Sequence, residues 1–176
     1  FLQRLSGIAS EVARWVDALA GSGVQVLDTR KTTPGWRALE KYAVRSGGGV
    51  NHRASLSDAI LVKDNHRETL RALGADRMDA WVGALRARCP GVFLEVEVDT
   101  RDEYLCVLDL DVDAVLLDNF GVADLRWAVE ERRRRGRLRP LLEASGGVRL
   151  EKALEIARTG IDRISAGCLT HSARAL

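Results

Sequence analysis

The sequence predicts an α/β fold, and within that class an incomplete, TIM-like (β/α) barrel of about six to seven parallel strands. Short apolar runs alternate with helical stretches along the 176 residues, which favours parallel strands joined by right-handed crossovers. Nearly every apolar run ends in ionisable or glycine-rich residues. Many strand ends converge on one mouth in a barrel, whereas an open doubly wound sheet gathers polar groups only near its switch point. A complete barrel takes about 250 residues, so we expect a truncated one.

The elements are expected in the following order. An amphipathic helix over residues 1–20 leads into the barrel. Apolar runs predict strands at residues 24–27, 59–62, 92–98, 114–117, 141–144 and 162–164, with a candidate seventh near Val50. A helix is expected from Pro34, with Thr33 as its N-cap, because proline suits the first helical position. Further helices are expected at residues 70–85, around 103–105, and at 122–135 and 149–159.

Composition argues against several classes of protein. The formal net charge of +2 is too small to indicate nucleic acid or membrane binding, and no apolar run is long enough to span a bilayer. Three cysteines lie far apart without CxxC spacing, which argues against a disulfide framework or a zinc site and fits a reducing cytoplasm. We expect one domain over residues 1–176 and, because the chain begins at Phe1, a fragment of a longer protein.

Polar and cationic side chains follow the first strand, a triple-glycine breaker and the second strand. They are, in chain order, Thr29, Arg30, Lys31, His52, Arg53 and Lys63. The guanidinium fork of Arg30 suits a carboxylate or phosphate. The alternatives are a solvated basic loop for the first group and a structural hydrogen bond for His52. Taken together, these cations predict a ligand with more than one anionic group.

Two glycine loops follow the last two strands, one strand-plus-helix unit apart. They are Ser145-Gly146-Gly147 and Ser165-Ala166-Gly167. Loops after the final strands of such barrels frequently bind phosphate through backbone N–H groups and a helix N-terminus. We therefore predict a phosphate site here rather than two tight turns.

Glu97 and Asp118 are carboxylates at the ends of two central strands. They are candidate ligands for Mg²⁺ and sugar hydroxyls, since magnesium is usually held by one or two carboxylates plus substrate phosphates. Ion pairs with Lys63 or Arg53 are the alternative. Glu95 lies two residues before Glu97 on the same strand, and alternation does not decide which of the two faces the site.

Motifs that match a known family run along almost the whole chain. They are Leu2–Ala9, Leu27–Gly35, Glu40–Arg45, Gly47–Arg53, Lys63–His66, Glu95–Asp99, Leu116–Phe120, Ser145–Gly147 and Gly167–Ser172. In this order and at these spacings the chain resembles the quinolinate phosphoribosyltransferase family, also called nicotinate-nucleotide pyrophosphorylase (carboxylating). The resemblance implies a pentosyltransferase that moves phosphoribosyl from phosphoribosyl pyrophosphate to the ring nitrogen of quinolinate. Decarboxylation then gives nicotinate mononucleotide, CO₂ and pyrophosphate for de novo NAD biosynthesis.

The resemblance also implies roles for the site residues. The side chains that would face the two quinolinate carboxylates are Arg30, His52, Arg53 and Lys63. Those near the pyrophosphate are Lys31 and Lys63. The ligands of the ribose hydroxyls and Mg²⁺ would be Glu97 and Asp118, which with Lys63 form the expected catalytic set. The two glycine loops would take the 5′-phosphate.

A further implication of the resemblance concerns partners. Family members carry an N-terminal α/β domain of about a hundred residues, which these 176 residues lack. In the family that domain covers the barrel mouth of a partner subunit and contributes an arginine to its quinolinate site. A homodimer or higher homo-oligomer is therefore expected.

Three other functions are compatible with the sequence. A relative associated with molybdenum transport shares the fold and the Thr29–Gly35 stretch, although the Gly47–Arg53 and Lys63–His66 motifs favour the quinolinate enzyme. A non-catalytic phosphosugar- or nucleotide-binding barrel is the second. The third is a Schiff-base aldolase with Lys63 as its nucleophile, which needs a desolvated lysine.

Overall fold

A computed structural model of the chain describes residues 1–66 and 77–176. The strands among these residues are β1 (Gln25–Leu27), β2 (Ala59–Val62), β3 (Phe93–Val98), β4 (Ala114–Asp118), β5 (Leu141–Ser145) and β6 (Arg163–Ser165). The helices are α1 (Leu2–Ala18), α2 (Arg37–Ser46), α3 (Met78–Arg88), α4 (Arg101–Leu108), α5 (Val122–Arg134), α6 (Leu150–Ala157) and α7 (Cys168–His171). Strands and helices alternate, so the predicted α/β class is confirmed.

The six described strands form one parallel sheet in the order β2-β3-β4-β5-β6-β1. Strands β2 to β6 lie beside one another in chain order, and β1 pairs with the last strand. A barrel brings its first and last strands together in this way, whereas a doubly wound sheet reverses its strand order near the middle. The incomplete barrel is therefore confirmed, and among the described residues its open edge lies between β1 and β2.

The candidate seventh strand is a single bridge within the described part of the chain. Val50 pairs with Leu27 in one isolated parallel bridge, and its N–H donates to the carbonyl of Val26 at 2.8 Å. The chain leaves the sheet edge after Val50 because Asn51 and the backbone of His52 bond to a side chain at the end of β1 instead. This turn brings His52 over the barrel interior, where it lines the cavity described below.

The helix after β1 begins later than expected. It starts at Arg37 rather than Pro34, because Gly35 has a φ of 78°, a left-handed conformation that a right-handed helix cannot include. The prediction that Thr33 is the N-cap is therefore wrong. Its amide and hydroxyl both donate to the Glu40 carboxylate, at 3.1 and 2.7 Å. The loop after β1 is thus longer than the sequence suggested, and it is tied to the helix by a side chain.

The other boundaries agree more closely with the expected ones. The helix expected around residues 103–105 is α4, and α5 and α6 end within two residues of their predicted ends. The helix expected at residues 70–85 falls partly on residues 67–76, which lie outside the described residues. Helix α7, directly after β6, was not predicted.

Helix α1 packs against the loop that carries His52 and Arg53. A Cβ atom on Gly47 would lie 2.4 Å from the carbonyl oxygen of Ala9, and one on Gly49 would lie 2.8 Å from a methyl of Val12. Side chains at these positions would push the loop away from the helix. The glycine run therefore allows a close approach as well as ending α2.

No helix of the described residues is long and apolar enough to cross a membrane. Cys89, Cys106 and Cys168 are free thiols, which agrees with the predicted absence of a disulfide framework.

Candidate active site

A cavity of about 220 Å³ lies at the carboxyl ends of the strands. It is lined by Thr29, Arg30, Lys31, His52, Arg53, Leu61, Lys63, Glu97, Leu116, Asp118, Ser145 and Ser165. The fold therefore brings together all of the charged residues proposed from the sequence, and the serine of each glycine loop. Four further predicted residues, namely Gly146, Gly147, Ala166 and Gly167, are not among those lining the cavity.

The loop that carries Arg30 and Lys31 is held by buried Glu40. Besides the two bonds from Thr33, Glu40 accepts from Arg4 Nε at 3.3 Å, and Arg4 also donates to the carbonyl oxygens of Thr170 and Ala173. The Thr170 hydroxyl in turn donates to the carbonyl of Lys31 at 2.8 Å. These bonds connect the loop to α1, α2 and α7, so the cations are held on a fixed backbone. The signal that sequence reasoning missed was an acidic residue on the apolar face of α2.

A second buried network holds the backbone of His52. The Asp28 carboxylate accepts from Lys41 Nζ at 2.7 Å, from Asn51 Nδ2 at 2.9 Å and from the amide of His52 at 2.7 Å. Lys41 also donates to the carbonyl of His52 at 2.8 Å. Burial raises the pKa of Asp28, and these bonds offset only part of that effect. The network fixes the start of the His52–Arg53 segment at the end of β1.

Lys63 and Glu97 form an ion pair in the cavity. Lys63 Nζ donates to Glu97 Oε2 at 2.7 Å, and the two side chains are 43% and 10% exposed. The ion pair considered for Glu97 is therefore present, with Lys63 as its partner. Glu95 and Glu97 are both buried in the barrel, but Glu97 lines this cavity and Glu95 contacts His52. The two carboxylates lie on the same face of β3 but at different depths in the barrel. Strand alternation predicts the face of a side chain, not its depth.

Asp118 ends β4 as the second carboxylate of the cavity. Its Oδ2 accepts from the side-chain amide of Asn119 at 2.7 Å. Burial raises the pKa of Asp118, the negative charge of Asp99 adds to this, and the positive charges of Lys63 and Lys31 partly oppose it. A cation bound at Asp118 would offset its repulsion with Asp99.

The two arginines of the cavity lie close enough to repel each other. Burial lowers the pKa of Arg53, and the positive charge of Arg30 lowers it further, while Glu95 and Glu97 oppose the change. The Nε of Arg30 is buried and has no hydrogen-bond partner among the described residues, whereas Arg53 donates to the carbonyl of Ala59 at 3.1 Å. Two neighbouring guanidinium groups, one of which has an unused N–H donor, are well suited to bind an anion between them.

The two glycine loops differ in what they offer to a phosphate. Gly146 has a φ of 91°, and a Cβ on it would lie 2.3 Å from Oδ1 of Asn119, so the loop passes very close to the end of β4. Gly147 also has a positive φ, of 59°, and its surroundings are open. In the second loop, the amide of Ala166 donates to the carbonyl of Leu27 at 3.0 Å. That amide is already used in the fold, which corrects the prediction that Ala166 is a phosphate donor.

The ring of His52 is engaged at both nitrogens. Nε2 lies 2.9 Å from Glu95 Oε2 and 3.6 Å from Glu143 Oε1, and Nδ1 accepts from the amide of Arg53 at 2.9 Å. Burial lowers the pKa of His52, but the hydrogen bond to Glu95 and the charges of Glu143 and Glu95 outweigh it, so the pKa is raised. Sequence reasoning singled out neither Glu143 nor this contact. The available signal was a glutamate inside an otherwise apolar strand.

The fold and the cavity define a class of protein, namely an α/β barrel with a cation-rich binding site at the carboxyl ends of its strands. Comparison with known proteins then gives the family. Residues 8–176 match the family described as quinolinate phosphoribosyl transferase, C-terminal domain, and the chain belongs to it.

Curated and solved relatives agree with this assignment. The chain is 48% identical over 172 residues to the nicotinate-nucleotide pyrophosphorylase [carboxylating] of Mycobacterium leprae, covering 98% of this chain and 58% of that protein. It is 40% identical over 178 residues to a probable enzyme of the same name from Bacillus subtilis, covering 99% of this chain and 58% of that protein. The solved nicotinate-nucleotide pyrophosphorylase of Francisella tularensis superposes with a TM-score of 0.89 at 38% identity, covering 99% of this chain and 59% of that one. The chain thus spans less than two thirds of these relatives.

Proposed function

We propose that this barrel is the catalytic domain of a quinolinate phosphoribosyltransferase. The reaction joins the ring nitrogen of quinolinate to C1 of the ribose of phosphoribosyl pyrophosphate and releases pyrophosphate. The 2-carboxylate leaves as CO₂, and a proton takes its place to give nicotinate mononucleotide. The relatives' names support the activity, and the chain's own cavity supports the chemistry.

The observation that carries the proposal is the charge arrangement of one cavity, in which four cations and two carboxylates meet. Quinolinate brings two carboxylates, and the second substrate brings a phosphate and a pyrophosphate, so the ligands carry several anionic groups. Arg30 and Arg53 repel each other until an anion binds between them. Lys63 and Lys31 supply the remaining positive charge for the quinolinate carboxylates and the departing pyrophosphate.

Glu97 and Asp118 are proposed to bind the ribose hydroxyls and to hold Mg²⁺. Carboxylate oxygens are the ligands that magnesium prefers, and the pKa of Asp118 is raised by burial and then by the negative charge of Asp99, which a bound cation would offset. These residues therefore fit the ion. When bound, Mg²⁺ supplies positive charge that stabilises the leaving pyrophosphate. The two carboxylates of the chain stabilise the positive charge that develops on the ribose as that bond breaks.

The loop Ser145-Gly146-Gly147 is proposed to take the 5′-phosphate. Ser145 lines the cavity, and Gly146 allows the loop to lie against Asn119 at the end of β4. Of the second loop, Ser165 lines the cavity. A Cβ on Gly167 would lie 3.0 Å from the ring of His171 and 3.3 Å from Cδ of Lys31, so this glycine leaves room for both side chains.

The complete protein is proposed to act in the cytoplasm as a homodimer or larger homo-oligomer, in which a partner's N-terminal domain covers the cavity. The chain's coverage of 58% of its Mycobacterium leprae relative leaves length for such a domain. Sedimentation of the complete protein at several concentrations tests this part, and a monomer at all concentrations would contradict it.

The activity is tested by supplying the complete protein with quinolinate, phosphoribosyl pyrophosphate and Mg²⁺. Nicotinate mononucleotide and CO₂ in equal amounts are the expected products. Binding of phosphoribosyl pyrophosphate without product would indicate a non-catalytic phosphosugar barrel instead. Borohydride trapping of a substrate on Lys63 would indicate an aldolase, but Lys63 is 43% exposed and paired with Glu97 at 2.7 Å, whereas such a nucleophile needs a desolvated lysine.

A further inference from the structure

The barrel interior carries two buried carboxyl groups that the proposed roles do not use. Glu95 is 1% exposed and Glu143 is 0% exposed. Oε1 of Glu95 and both side-chain oxygens of Glu143 have no hydrogen-bond partner among the described residues. Burying carboxyl groups whose oxygens are not all hydrogen-bonded is costly, so these side chains are poor choices for stability alone. Their position next to the cavity suggests a role in the site.

Both carboxyl groups lie against the ring of His52. Glu95 Oε2 is 2.9 Å from Nε2, and Glu143 Oε1 is 3.6 Å from the same nitrogen. At the other side of the ring, Nδ1 accepts the amide N–H of Arg53 at 2.9 Å. A nitrogen that accepts an N–H bears no proton of its own, so the proton of the neutral ring lies on Nε2 and is donated to Glu95.

We propose that Glu95 is a positioning residue that fixes His52 in its Nε2–H form and, through the ring, holds the backbone of Arg53 in place. The proposal rests on the proposed function, because it assigns Glu95 a task in the same site. Arg53 carries the guanidinium that faces the cavity, and its amide is bonded to the His52 ring. A ring that is free to rotate would release that amide and displace the anion-binding side chain.

A metal ion is the competing explanation for the same cluster. One donor atom each from His52, Glu95 and Glu143 lie within 4.8 Å of one another, which is close enough for shared coordination. A metal-bound histidine normally donates its second ring N–H to an acceptor. Here Nδ1 faces a donor instead. The guanidinium of Arg163, 3.6 Å from Glu143, already supplies positive charge at this position. Both features favour a proton rather than a metal ion between Nε2 of His52 and the two carboxyl groups.

The tautomer is measured directly by correlating the ring nitrogens and carbon-bound protons of ¹⁵N-histidine in the complete protein by NMR. His52→Gln assigns the signal. The expected result is a protonated Nε2 and an unprotonated Nδ1 in the neutral ring, with Glu95→Leu shifting the population toward Nδ1–H. Glu95→Gln keeps the Nε2–H form, because its amide oxygen still accepts. A wild-type ring in the Nδ1–H form, or loss of the Nε2 proton upon adding Zn²⁺ at equimolar concentration, would overturn the proposal.

Steady-state kinetics provides the second measurement. Glu95→Leu is expected to raise the KM for quinolinate about 3–10-fold, the effect of one positioned hydrogen bond, while the KM for phosphoribosyl pyrophosphate changes little. Glu95→Gln should restore most of the loss. The matched control is Asp162→Asn, which weakens the bond to Arg132 at the other end of the strands and should change neither KM nor the His52 signal.

The outcomes separate the two proposals. An unchanged KM for quinolinate in Glu95→Leu would show that Glu95 does not position the site. A wild-type protein that makes no nicotinate mononucleotide would refute the proposed function, whereas its His52 spectrum would still decide the tautomer. The wild-type spectrum also decides the matter should Glu95→Leu fail to fold.

Discussion

Lys41 Nζ lies 2.7 Å from Asp28 Oδ1, and neither side chain is more than 5% exposed. This ion pair joins α2 to the end of β1 and also bonds to the backbone of His52 on both sides of the residue, through its amide and its carbonyl. At the open edge, β1 has only the single bridge at Val50 as a sheet partner among the described residues. At this edge a buried ion pair therefore holds β1 in place, whereas elsewhere in the barrel hydrogen bonds to a neighbouring strand hold each strand.

Replacing Lys41 by methionine leaves the Asp28 carboxylate buried without its counter-charge. Breaking one side of a buried pair typically costs about 3–5 kcal/mol, so a loss of this size in the free energy of unfolding is expected. Urea denaturation measures it. The control is Arg14→Met, which removes an ion pair to Glu11 whose arginine side chain is 68% exposed and should cost under about 1 kcal/mol. Equal losses in the two variants would contradict the structural role of Asp28.

Replacing Arg53 by alanine removes a charged donor from the cavity. The expected result is an increase of about 10–100-fold in the KM for quinolinate, the usual effect of a hydrogen bond to a charged group. Arg53→Lys keeps the charge but loses the planar fork, so it should recover only part of the affinity. Initial rates at varied quinolinate check this. Arg158→Ala, which removes an exposed arginine at the end of α6, is the charge-matched control and should behave as wild type.

Gly146→Ala tests the first glycine loop. A Cβ there would lie 2.6 Å from the backbone nitrogen of Asn119 as well as near its side chain, and the φ of 91° is unfavourable for alanine. We expect a loss of at least about 1–2 kcal/mol in unfolding free energy. The KM for phosphoribosyl pyrophosphate should rise as well. Gly91→Ala, at a φ of 76° with open space around it, incurs the backbone cost alone. If both variants bind phosphoribosyl pyrophosphate like the wild type, the loop does not take the phosphate.

Glu143 makes stability depend on pH. Burial raises its pKa, the charge of Glu95 adds to this, and His52 and Arg163 oppose it. A carboxyl group with a raised folded-state pKa contributes most favourably below its unfolded pKa, and that contribution is lost as the pH rises through the folded value. Glu143→Gln should therefore gain stability relative to wild type as the pH rises above the usual glutamate range. Thermal unfolding across that range measures the difference, and a gap that stays constant would show that Glu143 has an ordinary pKa.

The cavity could be predicted from the sequence to the extent that strand ends define it. Lys63 follows directly on an apolar run, Asp118 ends one and Arg30 lies three residues beyond one, and parallel strands place such residues at one mouth. The direction of the strands is enough for this prediction, and the distances between elements are not needed. The same reasoning correctly grouped these three residues although up to 88 positions separate them in the chain.

The buried networks could not be predicted in the same way. Glu40, Glu95 and Glu143 occupy apolar positions of a helix and two strands, and their partners come from other elements. Pairing across the barrel depends on depth and side-chain reach, which the two-residue period of a strand does not record. Gly35 similarly delayed the start of α2, because the sequence does not show that this glycine takes a left-handed conformation.

Asp118→Asn tests the proposed metal and ribose site. Removal of this charge should lower kcat/KM about 10²–10³-fold, the range for losing one electrostatic contact to a transition state. Because burial and the charge of Asp99 raise the pKa of Asp118, the wild type should lose this carboxylate as the pH falls, at a higher pH than an ordinary aspartate would. The Mg²⁺ concentration for half-maximal rate should therefore rise on acidification in the wild type. It should be far less dependent on pH in Asp118→Asn, since the amide does not titrate. Asp124→Asn, whose partner is Arg101 on the surface, is the control. If the wild type and Asp118→Asn depend on Mg²⁺ identically at every pH, Asp118 does not hold the ion.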